Sequence, residues 1–343
     1  MNATATPPLG LTRRVFAGLL RTPLLLYGML ISGVGVAIYL FGVLLVFPRY
    51  FLGLNAALRP LNEAIVWYSG APVLIGVILA CIDLFVLFPF KRRSGPMRND
   101  PPRDPMVTVA LTAYNDEASI GPVVAEFKRH PCVRTVIVVS NNSHDRTLER
   151  ARAAGALVFD EPLQGYGQCV WRCWSEALKH DETDLIVLCE GDMTFRAYDI
   201  DKLLAYAPHA DIVNGTRTVE MLRDNLTQLS TFMYYGNLFV GKLLEAKHLG
   251  KSTITDVGTT YKLGRRAAIA PLLPALDPGL NLEFNAYFFD MALRRGLVVV
   301  ECPITFHPRA GASKGGNASN GRALIVGLRM CVGIVLGWRF VSR

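Results

Sequence analysis

Asp184–Phe195 reads DLIVLCEGDMTF. Leu185 to Leu188 is a short apolar run with β-branched members, the pattern of a buried strand. It ends abruptly in Glu190-Gly191-Asp192. Two carboxylates separated by one glycine, at the carboxyl edge of a buried strand, repel each other and call for a positive partner. A divalent cation carrying diphosphate oxygens meets that need, because Mg²⁺ and Mn²⁺ favour one or two carboxylates plus phosphate. A strand running into an acidic turn is the plainer alternative, and the flanking sequence separates the two.

Upstream, the pattern alternates strand and helix. Val107 to Leu111 reads as a strand and Ser119 to Arg129 as a helix. Val136 to Val139 is a strand, Asp145 to Ala154 a helix, and Ala156 to Phe159 a short strand. Leu163 to Gly167 is a glycine-containing loop, and Gln168 to Lys179 a helix. This alternation predicts an α/β domain with a mostly parallel sheet and helices on both faces. Ligands bind such sheets at the carboxyl ends of strands. Tyr114 to Glu117, Ser140 to Asp145 and Glu190 to Asp192 all fall there, which points to a single site.

Downstream, Ile212-Val213 is a strand leading to Gly215-Thr216-Arg217. Leu226 to His248 reads as one or two amphipathic helices, and Asp256 to Lys262 as a loop entering a strand. Glu283 to Arg295 is helical, Leu297 to Glu301 a strand, and Phe306 to Gly321 a glycine-rich loop. That loop holds Arg309 and Lys314, and glycine leaves its backbone free to close on an anion. Ala323 to Trp338 is apolar but interrupted by Arg329. It is expected to lie at a membrane interface.

The 343 residues are 51% hydrophobic, with a net charge of +8 and a mean hydropathy of +0.29. The hydropathy points to membrane segments and the basic excess to a membrane surface or phosphate ligands. No basic run is interleaved with aromatics, which argues against nucleic acid. Seven cysteines are scattered, and Cys169/Cys173 has no second pair to complete a zinc site. They read as buried thiols in a reducing compartment. Leu24 to Phe47 has no charge and is long enough to cross a bilayer; Ile65 to Phe90 carries only Asp83. Arg13, Arg14 and Arg21 before this pair and Lys91 to Arg93 after it place both ends in the cytoplasm. The expected organisation is 1–93 for the N-terminal segment and hairpin, 94–105 for a proline-rich linker, 106–321 for the catalytic domain and 322–343 for a membrane-associated helix.

Residues from about Met106 to Lys314 resemble family 2 glycosyltransferases of the GT-A fold. Within that family they are most similar to polyprenyl-phosphate sugar synthases. The resemblance is carried by Ala113 to Glu117, Val138 to Thr147, Glu190-Gly191-Asp192, Gly215-Thr216-Arg217, Asp256 to Tyr261, and Glu301 to Ile304 with Arg309 and Ser313-Lys314. It implies one sugar moved, with inversion, from a UDP- or GDP-linked donor to a polyprenyl phosphate by an inner-membrane protein. That reaction belongs to cell-envelope glycan synthesis, and a homo-oligomer stays open.

By position, the resemblance assigns Glu190 and Asp192 to Mg²⁺ or Mn²⁺. It assigns Ala113, Tyr114, Asn115, Glu117, Asn141, Asp145, Gly165, Glu190 and Gly191 to the nucleotide sugar. Arg217, Ser313 and Lys314 fall to the acceptor phosphate, and Asp192, Arg309, Asp256 and Arg217 to catalysis. Asn141 stands where the family usually has an aspartate at the base, and Glu190 replaces an aspartate. Two other readings compete. One is a glycosyltransferase of the same fold acting on a lipid or glycan hydroxyl, with Asp256 as general base. The other is an inactive nucleotide-sugar-binding membrane scaffold.

Overall fold

The computed structural model describes residues 11–92, 95–224, 226–227, 229–310 and 319–341. Its contacts divide the chain into two units, Met1–Ser94 with Ala246–Gly250, and Gly95–Glu245 with Lys251–Arg343.

In the first unit, two helical runs are long and apolar enough to cross a membrane. Leu24–Phe51 has 28 residues and Asn55–Lys91 has 37. At 1.5 Å per residue they are about 42 and 55 Å long, against a hydrocarbon core of about 30 Å. Most of their apolar side chains are exposed, and facing water would be unfavourable for them. Gly28, Gly35 and Gly42, seven residues apart, line the contact between the runs. A Cβ on Gly28 would come 2.5 Å from the Gly76 carbonyl oxygen, and one on Gly35 2.7 Å from Val73. Small residues let the two backbones approach this closely.

Asp83, fully buried, sits in a π-helical turn, Ile82–Leu87. Its Oδ2 accepts the Leu25 backbone N–H at 2.7 Å, capping the first long helix from the second. Its Oδ1 is 2.5 Å from Lys91 Nζ, which also donates to the Thr22 carbonyl at 2.7 Å. The carboxylate within the second run therefore serves the packing of the hairpin.

The second unit is built on a seven-stranded sheet in the order β3-β2-β1-β4-β6-β5-β7. The strands are β1 (Val107–Ala113), β2 (Val133–Ser140), β3 (Leu157–Asp160), β4 (Leu185–Glu190), β5 (Ile212–Thr216), β6 (Lys262–Arg265) and β7 (Val299–Pro303). Neighbours are parallel except at β6, which runs antiparallel to both β4 and β5. Every residue of β1 is buried, as expected where helices cover both faces. Val107, Val109 and Leu111 share one core with Leu185, Val187, Val124 and Phe127. On the other face Trp174 stacks on Phe288, with ring centroids 6.0 Å apart. The chain runs from β1 outward to β3, then returns across β1 to β4. The β1/β4 boundary is therefore a topological switch point, where a crevice opens at the strands' carboxyl ends.

The structure refines the sequence expectations at several places. The strand after Asp256 begins only at Lys262. Two helices that the apolar pattern did not single out, Asp199–Tyr206 and Arg266–Leu272, are present. Both are short, and Pro271 blurs the periodicity of the second. The segment after Leu226 forms one helix, Thr231–Lys247. The last segment is a 16-residue helix, Asn320–Val335, tied to its own unit. Arg329 pairs with the buried Glu283 at 2.8 Å, and Trp338 Nε1 donates to Asp290 at 2.7 Å. The arginine that interrupts this apolar stretch is thus an internal tie, not a contact made only at an interface.

Removing one partner of a buried ion pair leaves the other charge uncompensated, at about 3 kcal/mol or more. Asp83→Ala is expected to lower the unfolding free energy in detergent by about that much, and Asp83→Ala with Lys91→Met to recover most of it. Equal losses in the two variants would show that the pair is not the stabilising element.

Candidate active site

The strand register brings the acidic motifs together. Thr112 on β1 is level with Glu190 on β4, and Ala113 is level with Ser140 on β2. The Gly191 N–H donates to the Thr112 carbonyl at 2.9 Å, and the Asn141 N–H to the Ala113 carbonyl at 2.9 Å. The three turns leave the sheet side by side. A Cβ on Gly191 would lie 2.6 Å from Ile120 Cδ1 and 3.2 Å from the Thr112 carbonyl oxygen, so a side chain in the middle of Glu190-Gly191-Asp192 would require Ile120 to move. Met193, next in line, has φ +70°, an unfavourable conformation for a side chain of its size. It turns the chain so that the Thr194 N–H (3.0 Å) and hydroxyl (2.5 Å) both donate to Asp192 Oδ1.

Arg309 spans the acids. Its Nη2 donates to Asp116 Oδ1 at 3.0 Å, and its Nη1 lies 3.5 Å from Asp192 Oδ2. Burial opposes its charge, but Asp192, Asp116 and Glu190 outweigh that and hold it firmly cationic. Its Nε is buried without a hydrogen-bond partner among the described residues. Glu190 experiences the opposite balance. Burial first, then the Asp192 charge, push its carboxyl up to about 7, against the Thr260 hydrogen bond and the Arg309 charge.

These groups line a cavity of about 1000 Å³, together with Ala113, Tyr114, Asn141, Gly165 and Arg217. Asn115, Glu117, Asp145, Gly191 and Asp256 are not on its wall. Asn115 and Asp145 tie together the turns behind it. The Asn115 N–H donates to Ser143 Oγ, and its side chain accepts from the His144 N–H. Asp145 accepts from the N–H groups of Glu117 and Thr147. Asn141, expected at the base, donates through Nδ2 to the Leu163 carbonyl at 2.7 Å and accepts the Gly165 N–H at 2.8 Å. Its amide holds the glycine loop. Gly165 itself, at φ +155°, needs the freedom of glycine.

Asp256 and Arg217 form a bidentate pair, Nε to Oδ2 at 2.7 Å and Nη2 to Oδ1 at 2.8 Å. Asp256 also accepts from the N–H groups of Arg217 and Gly258. Burial pushes its carboxyl upward, but Arg217 and these hydrogen bonds hold it below the ordinary range. As a base it is weak and already engaged. Its place in the structure is to aim Arg217, which lines the cavity. Ser313 and Lys314 lie outside the described residues.

Sequence reasoning passed over Tyr166, Asn285 and Lys262, and named Asp116 and Thr260 only as members of longer motifs. Asp116 was visible only as one of an acidic doublet, and adjacent residues do not reveal which one turns inward. The others come from separate elements that meet only on folding. Beyond its polar end the cavity continues between the helices Thr231–Lys247 and Asn320–Val335. Its wall there includes Phe232, Met233, Phe239, Ile325 and Leu328.

Residues 108–273 match the family model for Glycosyl transferase family 2. A stretch of 113 residues is 30% identical to Protein RfbJ of Shigella flexneri, covering 32% of this chain and 84% of that protein. The chain belongs to glycosyl transferase family 2. A dolichyl-phosphate hexose transferase of Haloferax volcanii is 29% identical over 224 residues, 64% of this chain and 92% of that one. Among solved structures, a glucosyl-3-phosphoglycerate synthase from Mycobacterium tuberculosis, in complex with Mn²⁺, uridine-diphosphate and phosphoglyceric acid, aligns over 67% of this chain and 78% of that one. The TM-score is 0.47 and the identity 19%.

In this glycosyltransferase Glu190 and Asp192 offer carboxylate oxygens beside the Thr194 and Thr260 hydroxyls, with the Arg309 guanidinium standing against Asp192. Such hard oxygen donors fit Mg²⁺ or Mn²⁺, and the Asp192 charge, which after burial does most to raise Glu190, fits a cation there. The cluster His130, Cys132 and Asp201 is a different case. The Cys132 N–H donates to His130 Nδ1, which leaves the proton of neutral His130 on Nε2, directed at Asp201 3.4 Å away. That is the geometry of an N–H directed at a carboxylate, an ion pair only when His130 is protonated.

A carboxyl at about 7 in the folded state and 4.5 unfolded binds a proton more readily when folded. Glu190 therefore contributes stability below about pH 4.5 that is lost as pH rises to 7. Cation binding needs the ionised form. Added Mn²⁺ is expected to raise the melting temperature more at pH 8 than at pH 6, with Mn²⁺ affinity about tenfold weaker at pH 6. In Glu190→Gln the affinity should lose most of this pH dependence; equal wild-type affinities at the two pH values would remove Glu190 from the cation site.

Proposed function

We propose that this glycosyltransferase is a metal-dependent inverting enzyme that moves one sugar from a nucleotide diphosphate sugar to a polyprenyl phosphate, at the cytoplasmic face of a membrane. The observation that carries this reading is the two-ended cavity. Carboxylates and Arg309 stand at one end, and an apolar wall from two helices stands at the other. A donor diphosphate matches the first chemistry and an isoprenoid chain the second. The likeness to a dolichyl-phosphate hexose transferase supports the same acceptor class.

In the reaction an acceptor phosphate oxygen forms a bond to the anomeric carbon as the bond to the diphosphate oxygen breaks, with inversion. A phosphate is already anionic near neutral pH, so no strong general base is required. That agrees with Asp256, which is held ionised by Arg217 and is a poor base. The same observation disfavours the hydroxyl-acceptor reading. Arg309 places its guanidinium where charge builds on the leaving diphosphate, with Asp116 and Asp192 setting its orientation. A divalent cation held by Asp192 and Glu190 would supply further neutralisation of that charge. Arg217, steadied by Asp256, is suited to receive the acceptor phosphate.

The purified protein, with a panel of UDP- and GDP-sugars and Mn²⁺, is expected to glycosylate a polyprenyl phosphate. The same lipid bearing a free hydroxyl should react at least a hundredfold more slowly, as expected where a site's charged groups lose their partner. Faster transfer to the hydroxyl would replace this reading with its competitor.

The long apolar runs and their basic flanks predict a hairpin with both ends in the cytoplasm. Cysteines introduced at Ala56 and Met97 should be labelled from opposite sides of sealed vesicles; labelling from one side only would exclude it.

A further inference from the structure

Lys262, the first residue of β6, is 1% exposed. Burying a lysine is unfavourable unless its ammonium is satisfied. Its hydrogen-bond partners are neutral. Nζ donates to the Thr259 carbonyl and, at 3.1 Å, to Asn285 Oδ1, and lies 5.1 Å from the centre of the Phe289 ring. Nothing in the proposed chemistry uses it directly.

The hydrogen bonds beyond Asn285 give it a role. The hydroxyl of Thr260 has one proton, which goes to Glu190 Oε1 at 2.5 Å. Tyr166 OH lies 2.5 Å from the same Thr260 oxygen, so Tyr166 must be the donor in that contact. The Tyr166 oxygen in turn accepts from Asn285 Nδ2 at 2.9 Å. That leaves Asn285 Oδ1 as the acceptor for Lys262. With Lys262 donating and Glu190 accepting, every group is satisfied in one direction, from the lysine, whose pKa burial pushes down to about 7, to the carboxylate. The relay polarises Thr260 toward Glu190 without placing a second cation in the cavity. Tyr166 is also the first residue of its helix, directly after Gly165, and both residues line the cavity.

We propose that Lys262 is a positioning residue which, through Asn285, Tyr166 and Thr260, fixes the orientation of the Glu190 carboxylate and couples the glycine loop to the cation-holding end of the site. The inference rests on Glu190 acting as a cation ligand. Outer partners of metal-binding carboxylates change affinity by about ten- to a hundredfold when removed.

The test is a double-mutant cycle of Lys262→Met and Tyr166→Phe in the full-length protein. The readouts are Mn²⁺ affinity by electron paramagnetic resonance without donor, thermal unfolding without cation, and kcat and KM for the donor. Each single variant is expected to weaken Mn²⁺ binding about tenfold, and the double variant no more than the weaker single variant, since both interrupt one path. The kcat should fall while the donor KM changes less than threefold. Lys262→Gln, which retains a donor but not the charge, enters the cycle if Lys262→Met does not fold. Losses that multiply in the double variant, or wild-type Mn²⁺ affinity in a folded Lys262 variant, would overturn the relay. Failure of the wild-type protein to bind Mn²⁺ would instead overturn the assignment of Glu190 beneath it.

Discussion

Asp116, Glu190 and Asp192 leave neighbouring strand ends, and one guanidinium, that of Arg309, stands among them. Like charges brought together in a poorly hydrated place destabilise the protein unless something neutralises them. The surrounding structure is arranged around that excess. Thr194 takes one oxygen of Asp192 and Thr260 one oxygen of Glu190. The remaining negative potential makes the site receptive to a cation. Arg309 Nε stays buried without a hydrogen-bond partner among the described residues. Arg217 is handled differently. Asp256 neutralises it in full view of the cavity, keeping it ordered while its charge is balanced.

Much of this was legible in the chain because strand ends are punctuated by polar residues. The apolar runs before Tyr114, Asn141 and Glu190 located β1, β2 and β4, and a parallel sheet has to gather their carboxyl ends. What the pattern left open was direction and partnership. Nothing in Lys262–Arg265 says that the strand runs antiparallel between β4 and β5, because side-chain alternation is the same either way. Asn141 was visible as a polar residue at the right place, yet its amide turned to the loop backbone. Backbone acceptors such as the Leu163 carbonyl leave no mark on sequence. The relay from Lys262 spans elements about a hundred residues apart in sequence, and only the folded geometry assembles it.

The apolar residues tell a similar story. A run without charges identifies a segment that avoids water, and Leu24–Phe51 and Asn55–Lys91 are such segments. Asp83 looked like an exception within the second run. In the folded hairpin it caps the first helix and balances Lys91, so its polarity is spent internally. Arg329 is the corresponding case in the last helix, where an apparent break in an apolar stretch is a tether to Glu283.

The antiparallel strand has a consequence for how the chain is made. β4 pairs on one side with β1, which is already synthesised, but its other edge waits for β6, more than seventy residues later. Until then that edge presents unpaired backbone groups, a template for wrong partners. Lys262 faces Leu188 across this late pairing, and Thr260, which steadies Glu190, lies just before it. The pairing that closes the sheet also brings the Thr260 hydroxyl to Glu190. A chain that ends before β6 holds Glu190 and Asp192 but lacks the Thr260 hydroxyl that steadies the turn.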